Sequence, residues 1–170
     1  MKTYLLLLLA LCSLGHVYAQ DTTLLKRTPY KLIVAVDKKN FYEEDLKTAA
    51  YVLPDNTIQL YPGEKLYAEV EMADGVVKSI TSVKEIKDPS KTLTISFTQT
   101  TDGKVHQMMM LKIENPFAVT LVYKARMFLF KQKKWVGTDV YPVMPHLAGI
   151  ETWQDIIISI ALSDWKFETK

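Results

Sequence analysis

Apolar residues in this chain recur mostly at every second position. Leu66, Ala68, Val70 and Met72 alternate with Tyr67, Glu69 and Glu71, and Leu93, Ile95 and Phe97 alternate with Thr92, Thr94, Ser96 and Thr98. Period two marks a strand with one buried face. Runs of β-branched and aromatic residues at 119–129 and 156–162 predict further strands. The continuous apolar stretch "KLIVAV" at 31–36 predicts a strand buried on both faces. Turn signals separate these segments: "PDN" at 54–56, "PG" at 62–63, "DG" at 74–75 and 102–103, "DPS" at 88–90 and "NPF" at 115–117. Their spacing is close to the rhythm of about 8–12 residues expected of sandwiches and barrels. The pattern therefore predicts an all-β fold: a mainly antiparallel β-sandwich of Ig-like architecture with seven to nine strands, the alternative being a β-barrel.

One segment departs from period two. In 41–52 and just beyond, Tyr42, Leu46, Ala49 or Ala50, and Leu53 fall at helical spacing, with Asn40 as N-cap, Glu43 at the third helical position and Pro54 as a stop. A short helix is expected there.

The "DG" at 102–103 joins two alternating segments. A three-residue loop of Thr101, Asp102 and Gly103 would place Leu93 opposite Leu111, Ile95 opposite Met109 and Phe97 opposite Gln107. Leu93, Ile95, Phe97, Met109, Leu111 and Ile113 then share one face, which makes Met109 core. The opposite face receives Met108 and Met110, with His106 in line at steps of about 6.5–7 Å along the strand.

The first nineteen residues carry the marks of a secretory signal peptide. Lys2 precedes a short apolar run at 4–14, and Val17 and Ala19 are the small residues of a cleavage site before Gln20. The run is too short for a membrane span of about 20 residues. A lipid anchor through Cys12 is disfavoured, because Leu11 stands where a lipobox needs Gly, Ala or Ser. The expected organisation is a cleaved leader at 1–19, a loose lead-in at 20–30 and a single sandwich domain at 31–170. Removing residues 1–19 from 170 leaves 151, and since Lys2 is the only charged residue lost, the formal net charge falls from +2 to +1. Near-neutrality disfavours nucleic acid as a partner. The exported part has neither cysteine nor an N-x-Ser/Thr sequon and no second membrane-length apolar stretch. A short leader before a cysteine-free β-rich domain resembles bacterial envelope proteins, periplasmic or extracellular.

Candidate chemistry is sparse. No G-x-S-x-G, H-E-x-x-H, P-loop or G-x-G-x-x-G stretch occurs, and only His106 and His146 lie beyond the leader. One alternative is a Cu(I) site, because thioethers and imidazoles suit soft copper; its ligands would be His106, Met108 and Met110 with Met144 and His146. Another is a glycan hydrolase built on a carboxylate pair drawn from Glu43, Glu64, Glu69, Glu71, Asp139, Glu151 and Asp155. The favoured expectation is a non-catalytic module that binds a protein or glycan partner through the 135–153 region of the proline-braced segment 133–155. Trp135, Tyr141 and Trp153 are its aromatic candidates. Trp135 and Trp153 have a competing role as pins that hold this segment to the sandwich, and Trp165 is expected in the core.

Overall fold

The computed structural model describes residues 25–73 and 75–168. In chain order the strands are β1 (Lys26–Arg27), β2 (Tyr30–Ala35), β3 (Phe41–Leu46), β4 (Ala49–Ala50), β5 (Ile58–Leu60), β6 (Glu64–Ala73) and β7 (Val76–Val83). They continue with β8 (Thr92–Asp102), β9 (Val105–Glu114), β10 (Thr120–Leu129), β11 (Lys134–Thr138), β12 (Ala148–Trp153) and β13 (Ile157–Glu168). Two antiparallel sheets form the body, in the orders β11-β10-β13-β5 and β12-β9-β8-β6-β7. Their facing sides share one core: Leu66, Leu93, Ile95, Phe97, Met109, Leu111 and Ile113 from the larger sheet meet Ile58, Leu60, Leu121, Ile157 and Leu162 from the smaller. The all-β sandwich expected from the alternation is the observed fold, and neither sheet closes into a barrel.

A hairpin of β2 and β3 adds a third layer. Leu32, Val34 and Leu46 pack with Ile156 and Ile158, flanked by Phe128 and Phe130, on the outer side of the smaller sheet. The helix expected over 41–52 is absent: the segment forms β3 and β4. Tyr42 and Leu46 satisfy a period of two as well as a period near four. Pairing along β2, with Asp37 accepting from the backbone N–H groups of Lys39 and Asn40 in the turn, selects the strand. Nor is β2 buried on both faces, since Ile33 is 55% exposed on the outer side of the hairpin. Gln99 docks the far end of β2 by accepting from the Ala35 N–H and donating to the Ala35 carbonyl, both at 2.8 Å.

The described part of the lead-in, from Leu25, is joined to the fold. Lys26 and Arg27 pair with β4, and Arg27 is 2% exposed. Residues 1–24, including the expected leader and Cys12, lie outside the described residues.

The β8–β9 register differs from the expected one. Asp102 pairs with Val105 across a two-residue Gly103–Lys104 turn, and Ile95 and Phe97 face Ile113 and Leu111. Gly103 has φ +58° and Lys104 is not in the positive-φ region, the pattern of a type II′ turn. The shift is even, so Met109 still points into the core, fully buried.

At the β11–β12 side the chain crosses from one sheet to the other. Val143 bridges back to Leu121, and its Cγ2 lies 2.6 Å from where a Cβ on Gly149 would sit. Gly149→Ala is expected to cost about 1–3 kcal/mol through overpacking, read as a lower urea midpoint at unchanged slope.

Candidate functional site

The larger sheet leaves its outer face uncovered by any strand among the described residues. Rows across it follow from the registers. Ala148, Glu114, Thr94, Tyr67 and Val83 form one row, and Ile150, Lys112, Ser96 and Lys65 form the next. Thr152, Met110 and Thr98 form a third. Hydroxyls fill the middle, while Ile150 and Met108 supply exposed apolar surface toward β12.

At the Glu114 end, three connections rise around this face and enclose a groove of about 420 Å³. Ile86 and Pro89 come from the β7–β8 connection, Pro116 from the β9–β10 turn, and His146 and Leu147 from the approach to β12. Thr92, Thr94 and Glu114 form its floor. Ile86 is 40% and Leu147 58% exposed, so the groove walls are apolar and open to solvent. The Lys112 ammonium, hydrogen-bonded to Glu114, holds that carboxyl below its usual range, so the groove floor carries an ion pair rather than a free charge near neutral pH.

Asn115 sets the shape of these connections. Its Nδ2 donates to the carbonyls of Val119 (2.9 Å), Val143 (3.0 Å) and Met144 (3.2 Å), and its Oδ1 accepts from the Phe117 N–H at 3.0 Å. One buried side chain thus ties the β9–β10 turn to the β11–β12 crossing. His146, held at φ +56°, donates its N–H to the Phe117 carbonyl and completes the corner.

The three aromatic candidates do not share a surface. Trp135 pairs with Phe128 on the outer side of the smaller sheet and leans edge-on against it. Tyr141, 81% exposed, stands at the seam between sheets, where its backbone N–H donates to Glu151. Trp153 pairs with the core-facing Met109, packs against the core and donates Nε1–H to Thr138 at 3.2 Å. Trp153 is therefore a pin between the edges of the two sheets. Trp165 is buried as expected, stacked on Tyr123 and donating to the Asn56 carbonyl.

The five candidate copper ligands also fail to converge. Thr100 pairs with Met108 but Thr101 pairs with His106, so Gln107 is the extra residue of a bulge. The bulge turns His106 to the side of Gln99, whose Nε2 donates to His106 Nδ1 at 2.9 Å, and His106 Nε2 donates to the Gln154 carbonyl at 3.0 Å. Met108 and Met110 stay on the opposite face. Met144 and His146 belong to the far end of β9, about 26 Å along the strand from His106. Among the described residues no group of three His, Cys, Asp or Glu side chains is arranged to hold a metal ion.

The carboxylates of the hydrolase reading are likewise dispersed. Glu64 is buried against Arg27, Glu43 pairs with Lys31 and Glu151 caps the Tyr141 N–H. Glu69 and Glu71 stand on the outer face of β6. A second, smaller cleft of about 290 Å³ lies beside Glu44, Lys47, Gln59 and Tyr61. Gln59 there is already bonded to Ser159, and Arg27 to Glu64 and the Gln59 carbonyl.

Nothing in the sequence marks Asn115 or Ile86 as groove residues; "NPF" signals only a turn. Compared with known protein families, curated proteins and solved structures, the chain matches none.

Proposed function

We propose that this chain is an exported, non-catalytic module of the bacterial envelope that binds another protein through the groove between Ile86 and Leu147. The observation that carries this reading is the open apolar groove itself, fixed in shape by Asn115 and flanked by an uncovered sheet face. Exposed apolar surface rimmed by polar groups is the usual form of a protein-docking site. A protein suits the groove better than a sugar. Its walls are mostly aliphatic and prolyl, and it is lined by no Trp, Tyr or Phe ring of the kind that stacks on a sugar face, His146 being its one aromatic residue.

Ile86→Asp and Leu147→Asp test the proposal, since both side chains reach solvent and the fold should tolerate either change. A photo-reactive residue at Pro89, on the groove wall, is expected to cross-link a partner in exporting cells. Either aspartate should reduce that product about tenfold or more, as expected when an apolar anchor is lost. Undiminished cross-linking in both variants would remove the groove from the interface.

A further inference from the structure

Four strands end the two sheets, and three of these edges are blocked. The Leu25 N–H donates to the Ser82 carbonyl and the Ser82 hydroxyl to the Leu25 carbonyl, and the Ile80 N–H donates to Asn56 Oδ1, so the β7 edge is engaged at Ser82 and Ile80. The edge of β5 is covered by the preceding chain, with Val52 bridged to Ile58 and Gln59 donating to Tyr51. Lys131, Lys133 and Lys134 guard the start of β11, and its continuation is irregular before Val143 rejoins Leu121. Short, covered or lysine-bearing edges are how sheets avoid joining their neighbours.

Among the described residues β12 has none of these protections. It carries no proline, lysine or bulge, and its one charge, Glu151, is engaged with the Tyr141 N–H. The Asn115 N–H donates to the Leu147 carbonyl, which fixes the phase of the ladder to β9. Gly149, Glu151 and Trp153 therefore bond inward, while the N–H and C=O groups of Ala148, Ile150 and Thr152 point away from the sheet. Ile150, 58% exposed, stands at the centre of this edge.

The geometry points to a second copy of this chain as the occupant, with β12 pairing antiparallel to β12 across a two-fold axis at Ile150. In that register Ile150 meets Ile150 of the second copy, and Ala148 meets Thr152. Every outward group then finds an outward partner, giving about six backbone hydrogen bonds. Glu151 falls opposite Gly149 of the second copy, so no like charges are set directly against each other. The two larger sheets become one continuous sheet, and their outer faces, with Met108 and Met110, run together across the axis. A self-complementary patch closed by a two-fold is the commonest form of homo-oligomer. A six-residue edge spans only about 20 Å, so the association is weak and concentration-dependent.

Sedimentation equilibrium of the full exported chain is expected to show monomer passing to dimer in the micromolar range. Ile150→Lys sets like charges in direct opposition at an exposed position and should weaken association at least tenfold. Ile150→Pro removes an N–H that the monomer does not use, an edge position where proline is tolerated, and should abolish the dimer. Folding of each variant is checked by its urea midpoint. If Ile150→Pro unfolds, Ile150→Cys supplies a second measurement, because Cys12, the sole cysteine of the sequence, lies in the expected leader. A short bis-maleimide should join Ile150→Cys chains and leave a Ser79→Cys control unjoined. A chain that stays monomeric throughout, or an Ile150→Lys variant that dimerises like the parent, overturns the proposal. So does protection of the β12 amides from exchange only when a foreign protein is added. The groove shares Ala148 with this edge, so the two readings are separated by running Ile150→Pro through the Pro89 cross-link: a lost dimer with the cross-link to another protein retained leaves the groove reading standing on its own.

Discussion

Arg27→Ala lowers the stability of the domain by about 3–5 kcal/mol, the usual cost of removing one partner from a buried ion pair. Arg27 and Glu64 are 2% and 8% exposed. The guanidinium donates through Nε and Nη2 to the two oxygens of Glu64, with the Nη2 bond at 2.9 Å, and through Nη2 to the Gln59 carbonyl at 3.0 Å. The rings of Tyr51 and Tyr61 enclose it, with centroids at 4.6 and 4.7 Å. Burial opposes the Arg27 charge, and the hydrogen bond and charge of Glu64 outweigh that penalty, so its already high pKa is raised further. With alanine at 27, Glu64 keeps the Tyr30 hydroxyl and the Tyr61 N–H but has no counter-charge. Equilibrium unfolding in urea reads the loss. Pairing Arg27→Met with Glu64→Leu should restore most of it, because two apolar groups leave no buried charge unpaired. A double variant as unstable as Arg27→Ala would show that the pair's geometry, rather than the orphaned charge, sets the cost.

Asn115→Ala is expected to cost roughly 1–3 kcal/mol, since it leaves the buried Phe117 N–H without an acceptor, whereas the Val143 carbonyl keeps the Leu121 N–H. Asn115→Asp separates the two functions of the side chain. It retains the acceptor for Phe117 but points a carboxylate at the three carbonyls that the amide serves. That carboxyl is favoured protonated in the fold, so its folded-state pKa lies above the unfolded value of about 3.9. The variant is then most stable at low pH and loses stability as pH rises through the folded-state pKa. Urea midpoints across pH 4–8 test this. A variant as stable as the parent at neutral pH would mean that the amide donors hold nothing in place. Because Asn115 ties together the connections around the groove, both variants should also lose the Pro89 cross-link. Ile86→Asp should lose it without loss of stability, and that contrast separates a misplaced wall from a changed one.

Much of the fold was legible because period two is a local property of the chain. Residues such as Leu93, Ile95 and Phe97 must face one way in any strand that contains them, and all three are fully buried. The face assignment of Met109 survived an incorrect register because the partners shift by four residues, an even number that preserves side-chain direction. His106 did not survive it. One bulged residue, Gln107, reverses the side on which His106 emerges, and a bulge depends on how two strands settle together, which no single segment encodes. The expected helix at 41–52 failed for a related reason. Tyr42 and Leu46 fit either period, and the outer side of the smaller sheet, built from residues more than eighty positions away, provides the apolar surface that holds them in a strand.

The sequence by itself determined the class of fold, the core-facing set and most turn positions, since these follow from alternation and from the special backbone freedom of a residue such as Gly103. Only the tertiary structure decided which polar groups are buried and which edges stay open. Arg27 reads as an ordinary charge in a basic lead-in until Glu64, Tyr51 and Tyr61 are brought around it. Asn115 reads as a turn residue until four backbone groups converge on it. The groove between Ile86 and Leu147 and the bare edge of β12 arise where distant connections meet or fail to cover one another. Such properties belong to pairs of segments, and a local pattern carries no record of its partner.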